Sequence, residues 1–338
     1  MAVMAPPPTC IAALLLLLAA PLITVVRGQG FTPGHSSLNV LEPPCAAVGT
    51  GLVDDAPAIQ QCIDLLPNDG GVIRFPRGMY HLRSALVLHQ RQTRLVGDSY
   101  FAVLLIPDIE LPNGTVSIRA SDCEVNNVNV RTKGPEGVGI YVQGAAYAMV
   151  RNVQFLSDLN GNGFALVYDD RTAEGEPQPG SYTHTVENSY FGRPYRGAGT
   201  FNRSISTRGS QGGINACQIR GSHFIGDFAI DWGWGGGNFF TGNVFQSLSG
   251  TVHTPVGYAI SLNFGGTATV NSNYVERYAA VVFANTTDRN PRDSACGTVA
   301  LNEYDNNLAV YDFATNQSFS SVFAVDGDGI VSQALGGR

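Results

Sequence analysis

Four side chains in the middle of this sequence, Tyr168, His184, Arg208 and Asp231, are of types that together can handle an anionic substrate. Arg208 can neutralise a carboxylate or, if deprotonation is forced, act as a base. Tyr168 or His184 can move protons, and Asp231 can orient Arg208 or bind a cation. Hydrolysis asks for something different, two carboxyl groups about 5 to 10 Å apart, and Asp227 with Asp231 is the nearest candidate pair. A third chemistry is suggested by "DLNGNGFALVYD". Here Asp158, Asn160 and Asn162 are followed by Gly163, and Asp169 holds the twelfth place. Oxygen ligands at alternate positions can wrap a hard cation, so calcium is expected there, against the simpler reading of "NGNG" as a turn and "FALV" as a strand. His223, next to Phe224 in "IRGSHF", reads as surface or satisfied core.

These residues need a scaffold, and the sequence points to a coil of strands. Six-residue windows return along the chain: "VNNVNV" at 125, "VRNVQF" at 150, "VENSYF" at 186, "IRGSHF" at 219, "FTGNVF" at 240, "VNSNYV" at 270 and "VALNEY" at 299. Their first and last positions are apolar or aromatic, and all seven carry Asn or Gly third or Asn fourth. A second set interleaves with them: "GIYVQG", "FALVYDD", "SISTRG", "AIDWGWG", "AISLNFG", "AVVFAN" and "LAVYDF". No such unit buries its apolar side alone, so neighbours must stack above and below. The windows are too short and too rich in Val, Ile, Phe and Tyr for helical repeats. The expectation is an all-β, single-stranded right-handed parallel β-helix, a solenoid with loops thrown out where the spacing lengthens.

Alternation then assigns faces. With Ile140, Ala165, Ile205, Ile230 and Ile260 inward, the residues one and three places later point outward, which puts Tyr168, Arg208 and Asp231 in one shallow groove with Gln143 and Asn263 at its ends. An open solenoid needs a cap. In "DDAPAIQQCIDLLPNDGGVIRFPRGMYHL", Asp54 and Asp55 suit a helix start and Pro57 its first turn, while Ile59, Cys62, Ile63 and Leu66 form an apolar stripe. The spacing predicts a short capping helix over about 56–66, stopped by Pro67 to Gly71.

That opening segment, with its acidic pair, helix, Gly-Gly, strand, "FPRGMY" and further strand, resembles the N-terminal segment of the pectate-lyase-like β-helix proteins grouped with rhamnogalacturonases and epimerases; "RLVGDS" at 94 is similar to the turn that follows in that group. The resemblance covers about 50 residues. It implies the same β-helix and action on a polysaccharide, an acidic one of cell wall or matrix, by a lyase-like or hydrolase-like enzyme. In such a protein Gln143, Asn263 and Trp232 are expected to contact sugar, although the alternation of Trp232 with Trp234 also fits the core. The polygalacturonase set of "NTD", "DD", "GHG" and "RIK" and the "DPH" of alginate epimerases are missing, which leaves a non-catalytic polysaccharide-binding or matrix β-helix as the alternative.

Charge and leader complete the reading. The net charge of −7, with charged residues only 14% of the 338, argues against a nucleic-acid partner. The apolar run "IAALLLLLAAPLITVV" followed by "RGQG" reads as a signal peptide, residues 1–28, leaving 29–338 as a single secreted domain with no stable membrane insertion after cleavage. Four sequons begin at Asn113, Asn202, Asn285 and Asn316, in keeping with a glycoprotein on the secretory route. Beyond the leader, Cys45, Cys62, Cys123, Cys217 and Cys296 allow up to two disulfides and leave at least one thiol.

Overall fold

The computed structural model describes residues 36–158, 163–171, 181–192, 201–208, 213–233, 235–250, 253–254, 256–263 and 268–285, then five strands between 297 and 334. Side chains are described as far as 279, except that of Asn263. The leader, Asn160, Asn162, Trp234 and Cys296 lie outside the described residues.

The chain winds through three sheets in turn, of 12, 10 and 9 strands, so that each strand pairs with the one that occupies the same place in the next coil. Every strand pairing is parallel until the last, where Val331–Ala334 runs antiparallel to Val322–Val325. Each of the six windows from 125 to 275 holds the end of a first-sheet strand, a two-residue turn and the start of a second-sheet strand. Asn129–Thr132, for example, follows Glu124–Asn126. The third position of the window is where the chain turns, with φ of +57° at Asn127, +50° at Asn152 and Asn188, +59° at Gly221, +64° at Gly242 and +54° at Ser272. Left-handed backbone is most accessible to Gly and Asn, which explains their recurrence.

The fourth position points inward and is satisfied coil by coil. Ser222 Oγ accepts from Ser189 N at 3.2 Å, Asn243 Oδ1 from Ser222 N at 3.0 Å, and Asn273 Oδ1 from Asn243 N at 2.9 Å. The two Asn side chains also donate to Ile219 O and Phe240 O, each at 2.9 Å. The sixth position builds a pile of parallel rings, with centroids 4.8, 4.5 and 4.8 Å apart along Phe155, Phe191, Phe224 and Phe245. That spacing is the strand repeat itself, about 4.8 Å.

The helix is Ala56–Asp64, ending short of the expected 66 because Leu65 already has a closing φ, ψ of −80°, −10°. It buries Ala56, Ile59, Cys62 and Ile63 over the first coils. Asp54 Oδ1 accepts from Ala56 N at 3.1 Å, whereas Asp55 ties down the preceding segment through Val48 N at 2.6 Å and Gly49 N at 3.1 Å. A Cys45–Cys62 disulfide fastens the helix to that segment. Gly70, at φ +83°, has no room for a side chain: a Cβ there would lie 2.1 Å from Arg91 O. Cys123 and Cys217 are buried free thiols, each pushed up to about 12 by burial. No helix among the described residues is long and apolar enough to cross a membrane.

Candidate functional site on the third sheet

The third sheet carries the residues singled out above, on the strands Val138–Gln143, Phe164–Asp169, Arg203–Arg208, Phe228–Trp232 and Tyr258–Asn263. Ile140, Leu166, Ile205, Ile230 and Ile260 are in register and fully buried. Each follows a small residue, Gly139, Ala165, Ser204, Ala229 or Ala259, that also lies within the coil. At that small residue the pairing skips a place, so outward positions fall three apart and then two. Val138, Phe164, Tyr141 and Val167 accordingly form an apolar cluster of their own, separate from the core.

Three outward columns result. One carries Phe164, Arg203, Phe228 and Tyr258; the next Tyr141, Val167, Ser206, Asp231 and Ser261; the third Gln143, Asp169 and Arg208. The Arg208 guanidinium lies 5.1 Å from the Phe164 ring centre and 5.9 Å from that of Tyr141. Arg203 repeats the arrangement, 4.6 Å from Phe228 and 5.7 Å from Tyr258, and its Nε is 3.5 Å from Asp231 Oδ2. Asp169, on the preceding coil in register with Arg208, has both oxygens engaged. Oδ2 accepts from the Tyr141 hydroxyl at 2.6 Å and Arg171 Nη2 at 2.8 Å, and Oδ1 from Arg171 Nε at 2.9 Å and Arg171 N at 3.0 Å. Burial alone would raise the Asp169 carboxyl, but these bonds overcome it and hold the group below its ordinary value. Burial, then the bond to Asp169, pushes the Tyr141 hydroxyl up to about 12, so it is protonated at neutral pH. Burial first and the charge of Asp231 second raise Tyr258.

The sequence matches no protein-family model, and no curated protein is significantly similar to it. Solved structures do match in three dimensions. A DFA-IIIase from Arthrobacter chlorophenolicus A6 superposes with TM-score 0.54 at 16% identity, over 80% of this chain and 68% of that one. An alginate lyase from Paenibacillus sp. str. FPU-7 superposes with TM-score 0.52 at 12% identity, over 74% of this chain and 93% of that one. The fold is a right-handed parallel β-helix.

On this β-helix the expected residues separate into three groups. Arg208, Asp231 and Gln143 are on the outer face as expected, and Asn263 is in the strand beyond them, in register with Asn285. Asp231 is ion-paired with Arg203, not with Arg208.

Tyr168, His184 and Trp232 are corrected to the interior. Tyr168 was expected outward because Ala165 was aligned with Ile140; the true partner is Leu166, one residue on, and the slip exchanges the faces of Tyr168 and Asp169. Tyr168 is 1% exposed and stacks on His184, centroids 4.5 Å apart, with the fully buried Trp232 at 5.9 Å. His184 accepts from Ala148 N through Nδ1 at 3.2 Å and faces Ser181 Oγ with Nε2 at 3.2 Å. Burial depresses it to about 3, so it is a neutral structural imidazole.

The remaining group was paired wrongly. Asp227 is consumed by the 247–249 turn, where its carboxylate accepts from Ser247 Oγ at 2.8 Å, Leu248 N at 3.1 Å, Ser249 N at 2.9 Å and the Ser249 hydroxyl. Asp227 and Asp231, the carboxylates expected as a hydrolytic pair, are thus held by different partners, Asp227 by that turn and Asp231 by Arg203. The calcium set also divides: Asp158 Oδ1 is buried without a hydrogen-bond partner, but Asp169 faces the groove with its oxygens saturated. Among the described residues no three His, Cys, Asp or Glu side chains gather as a metal site. Sequence reasoning missed Arg171 and Arg203. Arg203 precedes a small residue and an Ile, and an outward residue followed by a small one and then Ile or Leu marks every one of these strands.

Proposed function

We propose that this is a secreted carbohydrate-active protein that binds an acidic polysaccharide along the outer face of the third sheet and opens it by elimination. The observation that carries the reading is the repeated clamp of Arg203 and Arg208 over aromatic rings on one open face. Aromatic faces accept the C–H side of a sugar ring, and a guanidinium held over them presents donors to a carboxylate. The fold neighbours named as an alginate lyase and a DFA-IIIase act on carbohydrate by their names and support the same class. The Cys45–Cys62 disulfide and the apolar run at 11–26 support an oxidising, extracellular destination.

Elimination is favoured over hydrolysis because the described carboxylates of this face are already engaged, Asp169 with Tyr141 and Arg171, Asp231 with Arg203. In an elimination water on the open face would take the proton beside the uronate carboxylate, the C–H electron pair would become a C–C double bond, and the C–O bond at the next carbon would break, its electrons leaving with the oxygen. Arg208 would neutralise the carboxylate, and the protonated Tyr141 would give its proton to the departing oxygen and regain one from water. A second reading, binding without turnover, is favoured by one specific observation: no described side chain on this face is a base held ready at neutral pH.

Absorbance of unsaturated uronates, followed beside a reducing-end assay on pectin, rhamnogalacturonan, alginate and glucuronan with and without calcium, tests the proposal. Both signals rising supports elimination. New reducing ends without absorbance would replace it by hydrolysis, and silence in both with retained polymer binding would establish the second reading.

A further inference from the structure

The outer faces of the three sheets differ in kind. The first sheet carries a ladder of alternating charge, in which Glu124 bridges Arg94 at 3.2 Å and Arg151 at 3.8 Å, and Glu187 bridges Arg151 and Arg220, both at 3.3 Å. The third carries the arginine clamps. On the second, the stretch Met79, Leu104, Asn129, Gln154, Tyr190 and His223 of one outward column runs in continuous register without a carboxylate or guanidinium, the first carboxylate of the column coming three strands further on, at Glu303. Aromatic rings line it. Tyr190 is 42% exposed, Tyr100 stacks against it with centroids 6.0 Å apart, His223 lies 6.0 Å away on the other side, and Phe101, 75% exposed, lies 4.2 Å from Tyr100.

Two polar atoms within this strip have no partner. Asn129 is only 4% exposed although it lies on the outer face; its Nδ2 donates to Gln154 Oε1 at 2.8 Å, and its Oδ1 is buried with no hydrogen bond. His223 Nε2 is in the same condition. Burial lowers this imidazole below its ordinary value, so the strip stays uncharged at neutral pH. Unmade hydrogen bonds at buried atoms are costly, and native structures rarely leave them standing.

We propose that the outer face of the second sheet is a separate binding strip for uncharged sugar residues, with Tyr190 and Phe101 as stacking platforms and with Asn129 Oδ1 and His223 Nε2, covered in the free chain, turning outward to meet hydroxyl groups. A pyranose ring is the occupant that meets both demands, because it offers an apolar C–H face and hydroxyl donors in one rigid unit. An apolar protein surface would cover the rings and leave both polar atoms unsatisfied. The lack of charge sets the strip apart from the third sheet, and together the two faces would hold one polymer by its acidic stretches and another by its neutral ones.

Affinity gel electrophoresis of the full chain, in gels holding hydroxyethylcellulose, xyloglucan, galactomannan or starch beside gels holding polygalacturonate, tests this directly. At least one neutral polymer should retard the protein. Tyr190→Ala and Phe101→Ser, both at exposed positions, should each weaken that retardation about tenfold while leaving retardation by polygalacturonate unchanged. Arg208→Ala should do the reverse. Normal mobility in all four neutral gels, or undiminished retardation of Tyr190→Ala, would overturn the proposal. So would a dimer in sedimentation that Tyr190→Ala dissolves, since a second copy would then be the occupant.

Discussion

The Tyr141 hydroxyl donates a 2.6 Å hydrogen bond to Asp169, a carboxylate from the neighbouring coil that is 1% exposed and also held by Arg171. The pair links two coils across the face on which Arg208 lies. Tyr141→Phe keeps the ring under Arg208 and removes only the donor. Hydrogen bonds to buried charged groups contribute about 1.5–3 kcal/mol, so urea unfolding of Tyr141→Phe should show a loss of that order with an unchanged m-value. The sign with pH follows from the depressed Asp169 carboxyl. Its contribution is present above the ordinary carboxylate range, about pH 4, and disappears as pH falls through the folded-state value. The cost of Tyr141→Phe should therefore shrink in acid.

Removing a clamp should separate binding from folding. Arg208 and Arg203 are partly exposed, and a cation over an aromatic face contributes about 0.5–1 kcal/mol at such sites, so thermal unfolding of Arg208→Ala or Arg203→Ala should move little. Retention on polygalacturonate should fall about tenfold in each single variant, with a shallower salt dependence. Equal retention of wild type and the double variant would remove the third sheet from consideration.

His184 predicts how the fold responds to acid. Its folded-state value is about 3 against about 6.5 when unfolded, so the unfolded chain takes up the proton first. Stability is complete above pH 6.5 and declines as pH falls toward 3, by about 2 kcal/mol at pH 5. His223, also lowered by burial, acts in the same direction. Urea midpoints at pH 7.5 and 5.0 measure the decline, and His184→Gln should reduce the difference between them even if its stability at pH 7.5 is lower.

The inward polar ladder supports the coils. Asn243→Ala strands Ser222 N inside the protein and removes the side-chain donor to Ile219 O and one of the two donors to Asn273 Oδ1, which keeps its bond from the backbone N of residue 243. One unsatisfied buried donor at about 1–3 kcal/mol and two further hydrogen bonds lost at about 1 kcal/mol each predict a loss of about 2–4 kcal/mol, seen as a lower urea midpoint. A loss under 0.5 kcal/mol would show that water takes over the ladder.

Much of this was legible in the sequence because the coil repeats its demands. A left-handed turn at every third window position selects Asn or Gly, and a stacked sixth position selects Phe, so "VRNVQF" and "FTGNVF" already contain a turn and a core ring. The faces of the third sheet were less legible. Four of its five strands were aligned correctly on Ile, but "FALVYD" offers Ala and Leu in the same neighbourhood, and choosing Ala165 over Leu166 turned Tyr168 out and Asp169 in. The small residue before each buried Ile or Leu was the available signal. Partners were the least legible. That Arg203 reaches Asp231 and that Asp227 is spent on the 247–249 turn depend on contacts 20 or more residues apart in sequence, across coils whose loops differ in length.

The continuous register has a consequence for how such a molecule changes size. Each coil passes its alignment to the next in all three sheets, so one residue added inside Phe164–Asp169 would misalign its neighbours, as the Ala165 slip illustrates on paper. The corner between third and first sheets is tolerant by contrast: five residues carry the chain from Gln143 to Met149, and fifteen from Asp169 to Thr185, yet both deliver it to adjacent strands in step. Length is therefore quantised in whole turns of about 4.8 Å, while ornament at the corners varies freely. A gene duplicating or deleting one full coil would lengthen or shorten both proposed binding faces together, making the span of polymer they grip a digital trait.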